Sequence, residues 1–310
     1  MGSLVSLVKA DEFSGSGLKD CVAKAVGLIG FKFPENLKTV IIKPNLNYYW
    51  EWTTGCTTDP HLVGSIIDYL RDRFGERLEI RVAEADASAM KTKHAFEMLG
   101  YTRLAMQKKV ELFNLSSDTL REEKVSILNR EIKFLIPQSL LDVDLFINVP
   151  KLKVLRHTRI SCAMKNVFGC IGFPRKITYH PVLNEAIVGV NKVLHPHLNV
   201  VEGLIALGRF PVKLGLIMAS SDTFSTDWIA SQIMGYKPRS IKFLKIAMKE
   251  KVGIPDGIRT VGEDLRPFAK EFPRETFLLQ NWLLKRQFGL LRLYRRVSGD
   301  VIPPFLEQTE

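Results

Sequence analysis

At 310 residues, with 46% hydrophobic and 25% charged side chains, the chain has the balance of a globular protein and the length for one large or two ordinary domains. No apolar run reaches the roughly 20 residues that span a bilayer, and Met1-Gly2-Ser3-Leu4-Val5-Ser6 lacks the basic region and long apolar core of a signal peptide. The net charge of +11 favours anionic partners, but much of the excess sits in Lys237 to Lys251 and Lys285 to Arg296, which argues against a general nucleic-acid surface.

Val5 to Val8 reads as a first strand, and Gly17 to Ile29 is apolar at helical spacing. Thr39 to Ile42 is a short apolar run stopped by Lys43-Pro44-Asn45, the pattern of a buried strand. Pro60 then opens a helix through Leu70, with Asp59 as its N-cap. Leu78 to Ala83 is the next strand and ends at Glu84-Ala85-Asp86. Thr92 to Leu99 is helical and closes on Gly100. Val110 to Leu115 is a further strand. Lys124 to Leu128 and Glu131 to Ile136 flank Asn129-Arg130 as a hairpin.

Asp144 to Val149 is a buried strand that delivers the charges of Pro150-Lys151-Leu152-Lys153 at its end, the pattern of a ligand site in an open α/β sheet, with a basic exposed loop as the alternative. After Pro181 a helix runs from Leu183 to Leu194, followed by strands Leu198 to Val201 and Leu214 to Ala219. Phe224 to Met234 is helical and stops at Gly235. This alternation predicts an α/β fold with a mostly parallel sheet and helices on both faces, plus an antiparallel hairpin addition. The composition then changes, which divides the chain into a body at 1–236 and a basic helical C-terminal extension at 237–310. Within the extension, Ser240 to Lys251 is a basic amphipathic helix and Gly253 to Pro273 is loop-rich. Phe277 to Val297 alternates Leu, Phe and Trp with Lys and Arg, as a helix docked on the body or laid on a membrane surface.

Residues that carry chemistry collect where strands end. Lys43 and Asn45 are followed by Thr53-Thr54-Gly55-Cys56-Thr57-Thr58-Asp59, hydroxyls and glycine before a helix N-terminus, where backbone N–H groups attract an anion. Glu84 and Asp86 could hold a divalent metal or act as general base. Lys151, Lys153, Arg156, His157, Arg159 and Lys165 crowd within fifteen positions. Such crowding calls for an anion or acidic partners, and it lowers an ammonium's pKa toward that of a base or nucleophile. His157 suits a proton shuttle, with His180 joining from the next loop. Glu202, Asp222 and Asp227 add carboxylates, Asp222 also fitting a helix N-cap.

The four cysteines, Cys21, Cys56, Cys162 and Cys170, form no CxxC and no ferredoxin-type spacing. That argues against a self-contained iron–sulfur cluster and favours a reducing cytoplasm. Cys56, Cys162 and Cys170 fall in or beside the motif segments, leaving open a three-thiolate site or buried free thiols.

Taken in order, several segments resemble one family, catalogued as domain of unknown function 362. They are Ile42-Lys43-Pro44-Asn45, Thr57-Thr58-Asp59-Pro60, Val82-Ala83-Glu84, Asn148-Val149-Pro150-Lys151-Leu152-Lys153, Ala163-Met164-Lys165-Asn166-Val167-Phe168-Gly169, and Ser221-Asp222 with Asp227. The resemblance covers roughly residues 3 to 240 and implies no reaction. Many members carry a ferredoxin-like cysteine segment and an iron–sulfur label; this chain lacks those cysteines, so the label does not transfer. The chain also departs at Val201-Glu202-Gly203, where the family often has Asp-Gly.

Three readings compete. The first is an enzyme for a small carboxylate or phosphate, with Lys43, Asn45, Thr57, Thr58, Asp59, Lys151, Lys153 and Asn166 binding it and Lys165, His157 and Glu84 doing the chemistry. A metal would draw on Asp86, Glu202, Asp222, Cys56, Cys162 and Cys170. The second is a metal-dependent or iron–sulfur redox protein. The third is a non-enzymatic binder of nucleic acid or anionic lipid, with peripheral membrane contact through the basic C-terminal helices.

Overall fold

Strand β1 (Leu4–Lys9) leads through α1 (Gly15–Leu28), β2 (Thr39–Pro44), α2 (Pro60–Phe74), β3 (Glu79–Glu84), α3 (Thr92–Met98) and α4 (Tyr101–Lys108) to β4 (Glu111–Asn114) in a computed structural model that describes residues 2–274. The hairpin β5 (Leu120–Ile127) and β6 (Arg130–Pro137) and the short α5 (Gln138–Asp142) come next. After them run β7 (Leu145–Val149), β8 (Lys151–Leu155), β9 (Arg159–Ser161) and α6 (Ala163–Phe168). The order closes with α7 (Leu183–Val193), β10 (Leu198–Leu207), β11 (Pro211–Ser220), α8 (Thr223–Ile233), α9 (Lys242–Lys249), β12 (Arg259–Gly262) and α10 (Leu265–Glu271).

The main sheet runs β12-β1-β11-β10-β7-β2-β3-β4. From β10 to β4 every pairing is parallel. The pairs β10–β11 and β11–β1 are antiparallel. The chain moves outward from β2 to β3 and β4, then returns to lay β7 on the other side of β2. The gap between the ends of β2 and β7 is therefore a topological switch point, where open α/β sheets form a crevice.

Alternation along the strands sends successive side chains to opposite faces. Val40, Ile42, Ile80, Val82, Leu145 and Ile147 bury one face under α1 to α4. Their neighbours Ile41 and Phe146 are buried on the other face, where α6 packs against β7, α7 and α8. The helices on both faces and the mostly parallel sheet match the sequence expectation.

Helix α2 shows how local signals and packing agree. Asp59 accepts from His61 N at 2.8 Å, Pro60 follows at the first helical position, and Gly75 at φ 82 ends the helix. A cap of this kind stabilises by about 1 kcal/mol. The buried stripe Leu62, Val63, Ile66, Ile67 and Leu70 contributes more, because each buried aliphatic side chain is worth about 1.5–3 kcal/mol.

Four local expectations change. The hairpin turn is Leu128-Asn129, both at positive φ (48° and 62°), one position earlier than read. A two-residue hairpin requires that geometry, which Asn tolerates well; Leu128 is held by its N–H donating to Glu250 Oε1 at 2.9 Å. The hairpin lies on α7, where a Cβ on Gly189 would meet the Phe134 ring at 2.9 Å. Beyond Gly100 the chain does not leave the helix face: α4 buries Tyr101, Leu104 and Ala105. The basic segment after Pro150, to which the sequence assigned no strand or helix, forms β8, β9 and α6. Leu152, Val154 and Ile160 are buried there, and Glu202 N donates to Pro150 O at 2.8 Å to hold β8 beside β10.

The fourth change concerns the domain boundary. The packing continues without a break past residue 236: α9 buries Phe243, Leu244, Ile246 and Ala247 against the body, its lysines facing out, and β12 pairs with β1. The packed unit extends to Arg274. The basic helix expected at Phe277 to Val297 lies outside the described residues. Among the described residues, no helix is long and apolar enough to cross a membrane.

Candidate functional site

Lys43 is the last residue but one of β2, and alternation turns it to the α6 face with Ile41. It is 1% exposed. A buried ammonium needs a partner, and the end of β3 supplies one: Glu84 Oε1 lies 2.9 Å from Lys43 Nζ. The same Nζ donates to Pro44 O at 2.9 Å and Asn166 Oδ1 at 3.3 Å. Glu84 in turn accepts from Leu46 N and Ala85 N, each at 3.0 Å. The loop after β2 is thus tied to the end of β3.

The sheet register carries this polar seam sideways. Asn148 stands opposite Lys43 on one side and Asn199 on the other, and Asn199 faces Ser220. Asn166 Nδ2 donates to Asn148 Oδ1 at 2.8 Å, Asn148 Nδ2 to Asn199 Oδ1 at 2.8 Å, and Asn199 Nδ2 to Ser220 O at 3.1 Å. A fully satisfied buried ladder of this kind fixes the positions of its members.

Lys153 reaches the same place from β8. Its Nζ donates to Asn45 Oδ1 at 2.7 Å, Asn47 Oδ1 at 2.6 Å and the Cys56 carbonyl. Burial, with the nearby Lys165 charge second, lowers this amine to about 7. Asn45 Nδ2 donates to Asn166 Oδ1 at 2.9 Å, which joins the two sets.

Lys165 and Asn166 enter on α6. The first amides of that helix, Ala163 N and Met164 N, donate to Asp227 at 2.6 and 3.2 Å. The side chain of Asp227 therefore finds backbone partners rather than a cation; burial raises its carboxyl to about 7. Asn166 turns into the ladder. The Lys165 amine lies 6.0 Å from the Phe168 ring centroid and has no hydrogen bond or ion pair among the described residues. Burial and the Lys43 charge lower it to about 8. At the rim, the exposed His157 and His180 rings stand 5.5 Å apart. Burial, then the His157 and Lys165 charges, lower His180.

Lys43, Asn45, Glu84, Lys153, Lys165 and Asn166 thus gather at the switch point, with His157 at the edge. Lys151 is next to them but engaged separately. Its Nζ forms a fully buried ion pair with Glu202 and also reaches Trp52 O at 3.4 Å. Burial raises the Glu202 carboxyl in spite of that pairing.

Other expected residues hold the fold. Thr57 Oγ1 donates to Trp50 O at 2.7 Å, and Thr58 Oγ1 to Val149 O at 2.9 Å. Asp59 caps α2, so a carboxylate already occupies the helix N-terminus where an anion was expected. Asp86 accepts from Thr92 N at 2.9 Å and pairs with Lys91 at 3.1 Å, away from Glu84's partners. Asp222 caps α8.

The thiols do not fit a metal or cluster. Cys162 faces Asp227, Cys170 is buried with burial pushing it up to about 12, and Cys56 sits in the loop after β2. Among the described residues, no three His, Cys, Asp or Glu side chains converge as a metal set. The three-thiolate site is therefore not formed.

Sequence reading passed over Lys176, which is buried, donates to Asp86 O at 2.6 Å and is lowered to about 8, chiefly by burial. It also passed over the ladder. An asparagine inside each apolar strand, Ile147-Asn148-Val149 and Leu198-Asn199-Val200, was the available signal.

Comparison with known proteins adds relatives. A thylakoid-associated protein of Synechocystis sp. is 24% identical over 313 residues, spanning 94% of this chain and 92% of the relative. The lactate racemase apoprotein of Thermoanaerobacterium thermosaccharolyticum superposes with a TM-score of 0.40 at 12% identity, over 74% of this chain and 57% of that one. The model of the family described as Domain of unknown function (DUF362) matches residues 40–232, from β2 through the ladder to α8. The chain belongs to that family.

Proposed function

We propose that the chain is an enzyme that binds a small carboxylate or phosphate at the switch point between β2 and β7. In this reading Lys153 and the Lys43–Glu84 pair set the charge of the site, and Lys165 moves a proton, with His157 at the rim. The observation that carries it is the imbalance of the cluster. Lys43, Lys153, Lys165 and Lys176 stand together, and Glu84 is the carboxylate paired within them. A bound anion supplies the missing negative charge and restores the ammonium forms. All four cysteines are free, in keeping with a reducing cytoplasm.

The test is a thermal-shift screen with inorganic phosphate and short mono- and dicarboxylates. A ligand at about 100 times its Kd stabilises by about 2.7 kcal/mol, which raises Tm by several degrees. The expected result is such a rise in the native chain and its loss in Lys153→Gln. No response to any anion ends the proposal.

A second reading draws on the thylakoid-associated relative. In it, the basic run from Lys285 to Arg296 places the protein on an anionic membrane surface. Co-sedimentation with phosphatidylglycerol vesicles that is lost in high salt supports this; sedimentation unchanged by removing residues 275–310 counts against it.

A further inference from the structure

Lys43, Lys151, Lys153 and Lys176 are each buried, and each donates a hydrogen bond to an oxygen of the protein. Lys165 differs in both respects. The residue is partly exposed, and its amine has no hydrogen-bond or ion-pair partner among the described residues. The groups that act on it through space are Lys43, Lys153 and His180, with His157 against His180. All of these are cationic or neutral. The nearest aromatic face is that of Phe168.

Every other lysine of the cluster already donates to an oxygen of the protein. An unpartnered amine on a partly exposed residue, next to other cations, has the environment of a nucleophile. The same charges that favour its neutral form also attract a carboxylate next to it. We propose that Lys165 forms an iminium with the carbonyl of a 2-oxo acid, the carboxylate of which lies against the Lys153 and His180 side of the cluster. This rests on the anion-binding reading above and narrows its substrate class.

The step balances without a further reagent. The neutral amine attacks the carbonyl carbon, forming a C–N bond as the oxygen takes up a proton. The nitrogen then loses a proton, a second proton reaches the hydroxyl, and the nitrogen lone pair forms the C=N bond as the C–O bond breaks and water leaves. His180 at the rim is placed to relay the protons to solvent.

Reductive trapping of the full-length protein tests this. Pyruvate and cyanoborohydride at pH 7 should modify Lys165, located by peptide mass mapping. With its amine at about 8 against an ordinary 10.5, the neutral fraction is on the order of 300-fold larger than for a surface lysine. A rate advantage of about tenfold or more survives the lower basicity of the amine. Acetone, which has the carbonyl without the carboxylate, should react far more slowly, and Lys165→Arg should lose the adduct while keeping the circular dichroism spectrum of the native chain. Adducts spread over surface lysines with Lys165 no faster, in a protein that still responds to phosphate, overturn the iminium and leave the anion reading standing. Equal rates with acetone and pyruvate overturn the substrate class. No adduct and no phosphate response overturn both.

Discussion

Replacing Lys165 by Met should make the protein more stable while removing its activity. The amine is ordinary at 10.5 in the unfolded chain and falls to about 8 in the fold. Below pH 8 both states hold the ammonium, and folding carries the full penalty of burying it near Lys43. Between 8 and 10.5 only the unfolded chain is protonated, so stability rises with pH; above 10.5 both are neutral and the penalty is gone. The full difference corresponds to about 3 kcal/mol, and the partial exposure of the residue trims it to about 1–3 kcal/mol. Methionine keeps the length of the chain, favours the helix and packs on Phe168. Urea unfolding at pH 6.5 and pH 10.5 measures the effect. Lys165→Met should gain about 1–3 kcal/mol at pH 6.5 and almost nothing at pH 10.5. A variant that is less stable at pH 6.5, or whose gain is the same at both pH values, refutes the reasoning.

Two further substitutions probe the supports of the site. Glu84→Gln removes the charge that pairs with Lys43 but keeps an acceptor, and it should destabilise by about 3 kcal/mol in calorimetry at pH 7; a loss under about 1 kcal/mol would place that pair among the weak ones. Asp227 shifts from an ordinary 3.8 to about 7. Between those values the folded chain keeps a proton that the unfolded chain has lost, so this group makes stability fall as pH rises toward 7. Asp227→Asn has no such proton, and its stability relative to the native chain should climb by about 2–4 kcal/mol between pH 4 and pH 7.5. Parallel pH profiles for the two proteins would contradict the assignment.

The sequence was informative where one short segment decides the outcome. Asp59-Pro60 marks the start of α2 to the residue, and the apolar runs before Lys43, Glu84 and Pro150 mark three neighbouring strands of the sheet. The charges at those strand ends were visible too. What could not be read was which charge meets which. Glu84 and Lys43 are brought together by the β2–β3 pairing, and the ladder needs Asn148 set opposite both Lys43 and Asn199. Those are registers between segments far apart in the chain. The segment after Pro150 read as strand-end charges facing a ligand or as a basic exposed loop, and not as further strands, because half its residues are basic. It forms strands because Lys151 and Lys153 find partners inside and leave Leu152 and Val154 free to pack. The free amides before α2 suggested an anion site, and Asp59 takes that place itself, because a short side-chain carboxylate caps the same amides that would bind an anion.

The central claim is that an unpartnered amine waits beside an anion site. The direct measurement is an NMR titration of the lysine side chains, labelled at Cε and assigned with Lys165→Met, with and without inorganic phosphate. Lys165 should titrate near 8 in the free protein and move upward when phosphate is added, because the bound anion stabilises its ammonium. A Lys165 resonance that titrates near 10.5 and ignores phosphate would contradict the account.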